Sequence, residues 1–333
     1  MTSLSPGPDL LPPEEALHVR VLLEAWRLGN IVQVERVLGG ATNRVYRIET
    51  ARGVNFLRVY KRADRLIAER EHALIAHVRA QGLPAAAPVA SPSGSTVVEH
   101  DGSVCALYEP ARGQQVLGAD LSLAQAGAAG QFLAQLHHAL LPLPDTGYLR
   151  WNLSWDGAQW RQRLDQVERT LLQRGVEDET DQYALRRLHA QRDWLAHPDC
   201  VHTYHPSFSA QVVHGDFQDR NLFFEGDRVS AVIDWEQGAF MPRAYELARA
   251  CWFMFRLRPE PTLELLRAYQ SKSDLSPAEL EDGARAWGCF ADHHVWPLEE
   301  VYLHGNDAAR SYIPHIPFRP FSEAWAPLQR ALR

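Results

Sequence analysis

The segment 211–236, QVVHGDFQDRNLFFEGDRVSAVIDWE, constrains this chain more than any other stretch. Val212 and Val213 form a short apolar strand that delivers His214, Gly215 and Asp216 to a loop, and Asn221 follows five positions after Asp216. Residues 222–224 then predict a second strand, Glu225-Gly226-Asp227 a turn, and residues 229–233 a third strand ending at Asp234. Positions equidistant from a hairpin turn lie side by side, so Asn221 and Asp234 are expected to flank its open end. Asp216 comes from the loop just before. Three hard oxygen donors at strand ends suit Mg²⁺, which takes few protein ligands and leaves its other positions to water and phosphate oxygens.

A lone His-Gly-Asp is a common turn, and a strand-end aspartate commonly caps a loop. The combination carries the reading: Asp, four residues, Asn, hairpin, Asp follows the order of catalytic loop and metal-binding aspartate used in phosphoryl transfer.

A chain of 333 residues with 46% hydrophobic and 23% charged residues has room for two domains or one large two-lobed unit. Its net charge of −7 and lack of a basic block argue against nucleic acid as a partner. Arginine outnumbers lysine 32 to two, the lysines being Lys61 and Lys272. Cys105, Cys200, Cys251 and Cys289 lie far apart, with no disulfide or zinc pattern, and a reduced, cytoplasmic setting is expected. No secretory leader or membrane-length apolar run is seen, so no membrane partner is expected. Among the 15 histidines, His137-His138, His202/His205 and His293-His294 lack convincing companion ligands.

Upstream, residues 13–28 predict a helix with Leu17, Val21, Leu22 and Leu28 on one stripe, followed by an antiparallel meander over 31–38, 45–49 and 54–60. Its first turn holds Gly39, Gly40, Thr42 and Asn43. Paired glycines let backbone amides approach phosphate oxygens, although hairpins also use Gly-Gly for conformational reasons alone. On the third strand Phe56, Arg58 and Tyr60 share a face and Lys61 lies on the other, which makes Arg58 the candidate phosphate-holding cation. The helix expected over 64–80 buries Ile67, Leu74, Ile75 and Val78, with Glu71 in the middle of that stripe. A carboxylate there needs a partner, and Arg58 is the one expected. A hairpin across His100-Asp101-Gly102 ends at Tyr108 and Glu109, whose backbone region is a candidate adenine edge. The boundary between an N-terminal unit 1–110, its first 12 residues a flexible leader, and a C-terminal unit 111–333 falls just after.

The remainder reads as helical, with helices expected over 157–175, 180–197, 262–270, 277–304 and 321–332, and another begun by Pro242 with Glu246 near its first turn. Trp151, Trp155 and Trp160 suit an aromatic wall for a cationic or sugar substrate, or plain core, which the burial habit of tryptophan favours.

HGDFQDRN followed by VIDWE, with the Gly-Gly loop, the FLRVY strand and the EREHALIAHV helix upstream, resembles the aminoglycoside phosphotransferase and choline kinase family, which includes homoserine kinase-like members. The resemblance covers residues 34–250 and is most specific over 213–235. It implies an α+β, bilobal protein-kinase-like fold: an antiparallel-sheet lobe with one main helix, a larger helical lobe, and ATP between them. Carried over, it makes Asp216 the catalytic base, Asn221 and Asp234 the Mg²⁺ ligands, and Arg58 with Glu71 the phosphate-positioning pair. Two positions depart from the pattern: Arg58 stands where many members have lysine, and Glu246 where aspartate is frequent.

The expected function is ATP- and Mg²⁺-dependent phosphorylation of a hydroxyl on a small, amine-bearing acceptor such as an aminoglycoside, choline, homoserine or an amino sugar. Asp219 and Glu236 either attract the acceptor's ammonium group or are solvated loop charges. The alternatives are a protein Ser/Thr kinase, disfavoured by the absence of an activation segment between Asp234 and Pro242, and a nucleotide-binding pseudokinase or regulatory protein, for which keeping Asp216, Asn221 and Asp234 together has no physical need.

Overall fold

A computed structural model describes residues 11–37 and 43–332. The chain divides into two compact units, Met1–Arg112 with Ala231–Glu236, and Gly113–Ser230 with Gln237–Arg333.

The first unit opens with α1 (Pro13–Leu23), which starts on proline because a first-turn N–H has no helical partner to lose. The helix stops short of the expected Leu28: it tightens into a 3-10 turn over Glu24–Trp26 and ends at Arg27, whose φ of 50° turns the chain away. Its buried face is Val19, Leu22, Leu23 and Trp26, a run at spacings of three and four, and Leu17, two positions off that stripe, is exposed. That face packs with Tyr46, Ile48, Leu57, Val59, Cys105 and Leu107, where burying each Leu or Ile contributes about 1.5–3 kcal/mol.

These residues belong to a five-stranded antiparallel sheet built from β1 (Ile31–Val37), β2 (Arg44–Thr50), β3 (Gly53–Val59), β4 (Val98–His100) and β5 (Ser103–Tyr108) in the order β1-β2-β3-β5-β4. Between β3 and β4 runs α2 (Arg65–Ala80), capped by Asp64, whose carboxylate accepts from the N–H groups of Leu66 and Ile67. The late segment 231–236 joins this unit through Val232, which donates to the Pro84 carbonyl at 3.2 Å and accepts from the Ala86 N–H at 3.3 Å.

The second unit contains β6 (Gln114–Gln115), α3 (Leu123–Leu140), α4 (Gly157–Arg174), α5 (Glu179–Leu195), β7 (Ala210–Val213) and β8 (Leu222–Glu225). It continues with β9 (Arg228–Val232), whose end passes into the first unit, then β10 (Ala239–Pro242), α6 (Arg243–Phe255), α7 (Pro259–Gln270), α8 (Pro277–His293), α9 (Trp296–Tyr302) and α10 (Phe321–Ala331). Strands β6, β8 and β9 form one small sheet, and β7 pairs with β10 in another. The helices α3 and α7 approach closely at Gly130, where an added Cβ would lie 2.2 Å from the Leu265 carbonyl oxygen. Residues 277–304 are two helices rather than the single one expected. His294 leaves the helix at ψ 112°, and Pro297, which lacks an N–H, opens the next one. Among the described residues no helix is long and apolar enough to cross a membrane, and the four cysteines are free and buried.

Candidate active site

In the second unit the fully buried Val212 and Val213 hold β7, which leads into His214. The next residue must be glycine: Gly215 has φ +81°, and a Cβ there would lie 1.9 Å from the Gln237 carbonyl oxygen. The loop is anchored by Glu246 in the first turn of α6. Its fully buried carboxylate accepts from the N–H groups of His214 at 3.2 Å and Gly215 at 2.5 Å, and meets His137 Nε2 at 2.8 Å, while His137 Nδ1 meets the Tyr269 hydroxyl at 2.8 Å. Burial opposes the Glu246 charge, but the His137 hydrogen bond, the His137 and His214 rings and the Gly215 N–H outweigh it and hold its pKa below the usual carboxylate value. Because the folded pKa is depressed, its stabilisation is complete above the unfolded carboxylate pKa and is lost as pH falls through the folded one. Glu246→Ala strands these donors in the interior, and the expected cost is about 3–5 kcal/mol, read as a lowered denaturation midpoint. A midpoint within error of wild type contradicts the anchoring role.

The anchored loop presents Asp216. Asn221, in a 3-10 turn over Asp219–Asn221, donates through Nδ2 to Asp216 Oδ2 and to the Asp216 carbonyl, each at 2.8 Å. Gln218 Nε2 reaches both carboxylate oxygens at 3.0 Å, and Arg249 on α6 forms an ion pair with Oδ1. Gln218 and Arg249 escape the sequence reading. Arg249 lies three positions beyond Glu246 and shares its helix face, a spacing that would have flagged it. Asp219 is not a solvated loop charge: it is buried, and its carboxylate accepts from the Gly118 N–H at 2.6 Å.

In the first unit Arg58 lies on β3 opposite Ala106 of β5 and Val45 of β2. Its Nη1 donates to Glu71 Oε1 at 2.9 Å, and its Nη2 donates to Asp234 Oδ1 at 2.8 Å and Glu236 Oε2 at 2.6 Å. Glu71 also accepts from the Tyr60 hydroxyl at 2.8 Å, and the Tyr60 and Tyr108 hydroxyls lie 2.9 Å apart, with His72 Nε2 2.9 Å from the latter. Burial works against the Arg58 charge, yet Glu71 and Asp234 prevail and keep its pKa well above the ordinary value. Three carboxylates against one guanidinium leave negative charge uncompensated. Asp234 is the most accessible of the three, with its side chain 39% exposed, and it sits at φ 65°.

Glu236 is likewise not a solvated loop charge: besides Arg58 it accepts from Asn43 Nδ2 at 2.5 Å, while Asn43 Oδ1 accepts from the Lys61 N–H at 3.0 Å. Gly39, Gly40 and Thr42 lie outside the described residues. The Tyr108 side chain is engaged as above, and the Glu109 N–H donates to the Ala87 carbonyl at 2.9 Å.

The tryptophans form a wall within the second unit. Trp155 stacks on His293 at 4.6 Å, Trp160 meets Trp155 edge-on at 6.4 Å, and Trp151 does the same to Phe290 at 5.0 Å. His293 also gathers Cys200 and His202, so that their ligand-type atoms lie within 4.8 Å of one another, a convergence the sequence spacing conceals. His202 Nδ1 lies 2.9 Å from His293 Nε2, and His293 Nδ1 lies 2.7 Å from the Cys289 carbonyl oxygen. The pair is thus satisfied as a hydrogen-bonded chain.

A buried helix glutamate paired with a strand arginine, and a His-Gly-Asp loop answered by an asparagine, place the protein among α+β phosphotransferases of the protein-kinase-like fold. The chain belongs to the phosphotransferase enzyme family, whose profile matches residues 33–287. It is a small-molecule kinase by class. It is similar to homoserine kinase of Brucella anthropi, 27% identical over 281 residues that cover 80% of this chain and 78% of the relative. Its fold is shared with spectinomycin phosphotransferase solved with ADP and spectinomycin, at TM-score 0.64 and 13% identity over 94% of this chain and 98% of the other. The same fold appears in an amicoumacin kinase solved with AMP-PNP, Ca²⁺ and its antibiotic, at TM-score 0.57 and 14% identity over 94% and 97%.

Proposed function

We propose that this protein transfers the γ-phosphoryl group of ATP, with Mg²⁺, to a hydroxyl of a small, amine-bearing molecule. The observation that carries the reading is Asp216, a carboxylate oriented from three sides by Asn221, Gln218 and Arg249 on a loop that Glu246 holds from below. In this role an Asp216 oxygen takes the acceptor's proton as the hydroxyl oxygen forms its bond to phosphorus. The bond from phosphorus to the bridging oxygen breaks, and ADP leaves with the electron pair.

In the first unit the excess of carboxylates around Arg58 is a charge imbalance that fits a divalent cation, with Asp234 offering a hard oxygen, and in the second unit Asn221 is the other expected ligand. When bound, Mg²⁺ neutralises charge on the phosphoryl oxygens. Arg58, fixed by Glu71, orients phosphate oxygens with its fork, and Gly39, Gly40, Thr42 and Asn43 offer further donors to them. The backbone at Tyr108 and Glu109 is the candidate adenine edge, with the Glu109 N–H already bonded to the Ala87 carbonyl. The homoserine kinase relative and the nucleotide-bearing neighbours support the same reaction class.

A screen of ADP release against aminoglycosides, choline, ethanolamine, homoserine and amino sugars tests the reading. The expected outcome is acceptor-dependent ADP formation that EDTA abolishes. Release that no acceptor stimulates, or that survives EDTA, contradicts it.

A further inference from the structure

A cavity in the second unit lies between α5, α6, α8 and the segment leading into α10, and its lining includes Arg187, Phe253, Arg256, Trp287, Asp292 and His294. It adjoins the catalytic loop through one residue. Arg249, paired with Asp216, lays its guanidinium over the ring of Phe253 at 4.4 Å and faces that of Trp287 at 5.8 Å, and both rings line the cavity.

The cavity is electropositive. Arg187 reaches into it across the Phe318 ring at 5.2 Å, and among the described residues its guanidinium has no hydrogen-bond or ion-pair partner. Arg256 also has none, but it is exposed at the cavity's edge, where water solvates it, and lies 5.6 Å from the Phe253 ring. Arg319, a third lining arginine, is offset by Glu323 at 3.7 Å. The lining carboxylate, Asp292, attracts Arg187 without reaching ion-pair distance, being held instead by Trp194 Nε1 at 2.8 Å and the Phe321 N–H at 2.9 Å. Burial, then the charges of Arg187, Arg249 and Arg256, push the pKa of His294 down to about 3, so its ring is neutral and the field around it positive. An unpaired guanidinium in a partly desolvated cavity is costly unless an anion joins it, and its planar fork matches a carboxylate. The acidic groups that the sequence offers to an acceptor ammonium, Asp219 and Glu236, are spent on Gly118 and on Arg58 with Asn43.

We propose that this cavity receives the acceptor and that Arg187, with Arg256, binds its carboxylate, so that the acceptor is a small hydroxy amino acid rather than a polycationic sugar. The inference rests on the phosphotransferase reading above and narrows its acceptor.

The test uses acceptor pairs that differ only in the carboxylate: L-homoserine against 3-aminopropan-1-ol and L-serine against ethanolamine, with kanamycin and choline alongside. In whichever pair is turned over, the acid is expected to have kcat/KM at least about 100-fold higher, since a site built around a polar group rejects the analogue lacking it. Arg187→Gln should collapse that ratio toward one, mainly through KM of the acid, and Arg187→Lys should leave an intermediate ratio. Binding is read separately from the fluorescence of Trp252 and Trp287 with Mg·AMP-PNP present: the acids are expected to saturate the signal in wild type and not in Arg187→Gln.

Equal turnover within the pairs, turnover confined to kanamycin or choline, or an acid preference that survives Arg187→Gln overturns the proposal and leaves the kinase reading intact. Saturable acid binding with no acceptor phosphorylated instead contradicts the kinase reading. Absence of any acid binding together with absence of turnover defeats both.

Discussion

Asp216→Asn lowers kcat by roughly 10²–10⁴-fold while the protein stays folded, the loss expected when a positioned general base is removed. The substitution is close to isosteric. It removes the negative charge that faces Arg249, but Arg249 keeps its contact with the Phe217 carbonyl and its place over Phe253, so local packing has other supports. Asn221 likewise keeps its bond to the residue-216 carbonyl. The falling quantity should therefore be kcat with KM for ATP little changed, because in the proposed role the group acts on the acceptor proton and not on nucleotide binding. Circular dichroism melting separates this from unfolding. Turnover within tenfold of wild type sinks the assignment of Asp216 as base.

The second large effect is at Asp234. Asparagine is the informative replacement because residue 234 sits at φ 65°, a conformation that Asn tolerates and that costs alanine roughly 1 kcal/mol or more. Asp234→Asn removes one of the three carboxylates around Arg58 and leaves Glu71 and Glu236 to hold that guanidinium. The expected result is a loss of about 10²–10³-fold in kcat, the scale of one charge-stabilising contact in a transition state, with a higher Mg²⁺ concentration needed for half-maximal rate. A variant with an unchanged Mg²⁺ titration contradicts its role as metal ligand.

The strand–loop–hairpin around Asp216 is local in sequence, and apolar strands, a glycine turn and a polar loop announce it without help from distant residues. The pairing of Arg58 with Glu71 is visible for a related reason: period two on a strand and a carboxylate inside an apolar helical stripe together leave few partners. What stays hidden is decided at long range. β10 has no signature of its own, because Ala239-Phe240-Met241-Pro242 is short and ends in proline, and only β7 as partner makes it a strand. Leu17 misleads because two stripes were possible on α1 and the sheet chose the one through Val19. Arg187 and Arg256 carry no local signature in a chain so rich in arginine; they stand out once the cavity between distant helices leaves them, among the described residues, without hydrogen-bond or ion-pair partners. The substitution of glutamate for the frequent aspartate at 246 also becomes intelligible, since this carboxylate meets two loop amides and His137 together.

Phosphorus NMR of the wild-type protein with Mg·ATP and the acceptor pairs tests the central claim most directly. Phosphoryl transfer predicts that the ATP resonances give way to those of ADP in step with one new phosphomonoester signal coupled to the acceptor's carbinol protons, and that Asp216→Asn suppresses both. Unchanged ATP with every acceptor, or ADP accompanied only by inorganic phosphate, contradicts it.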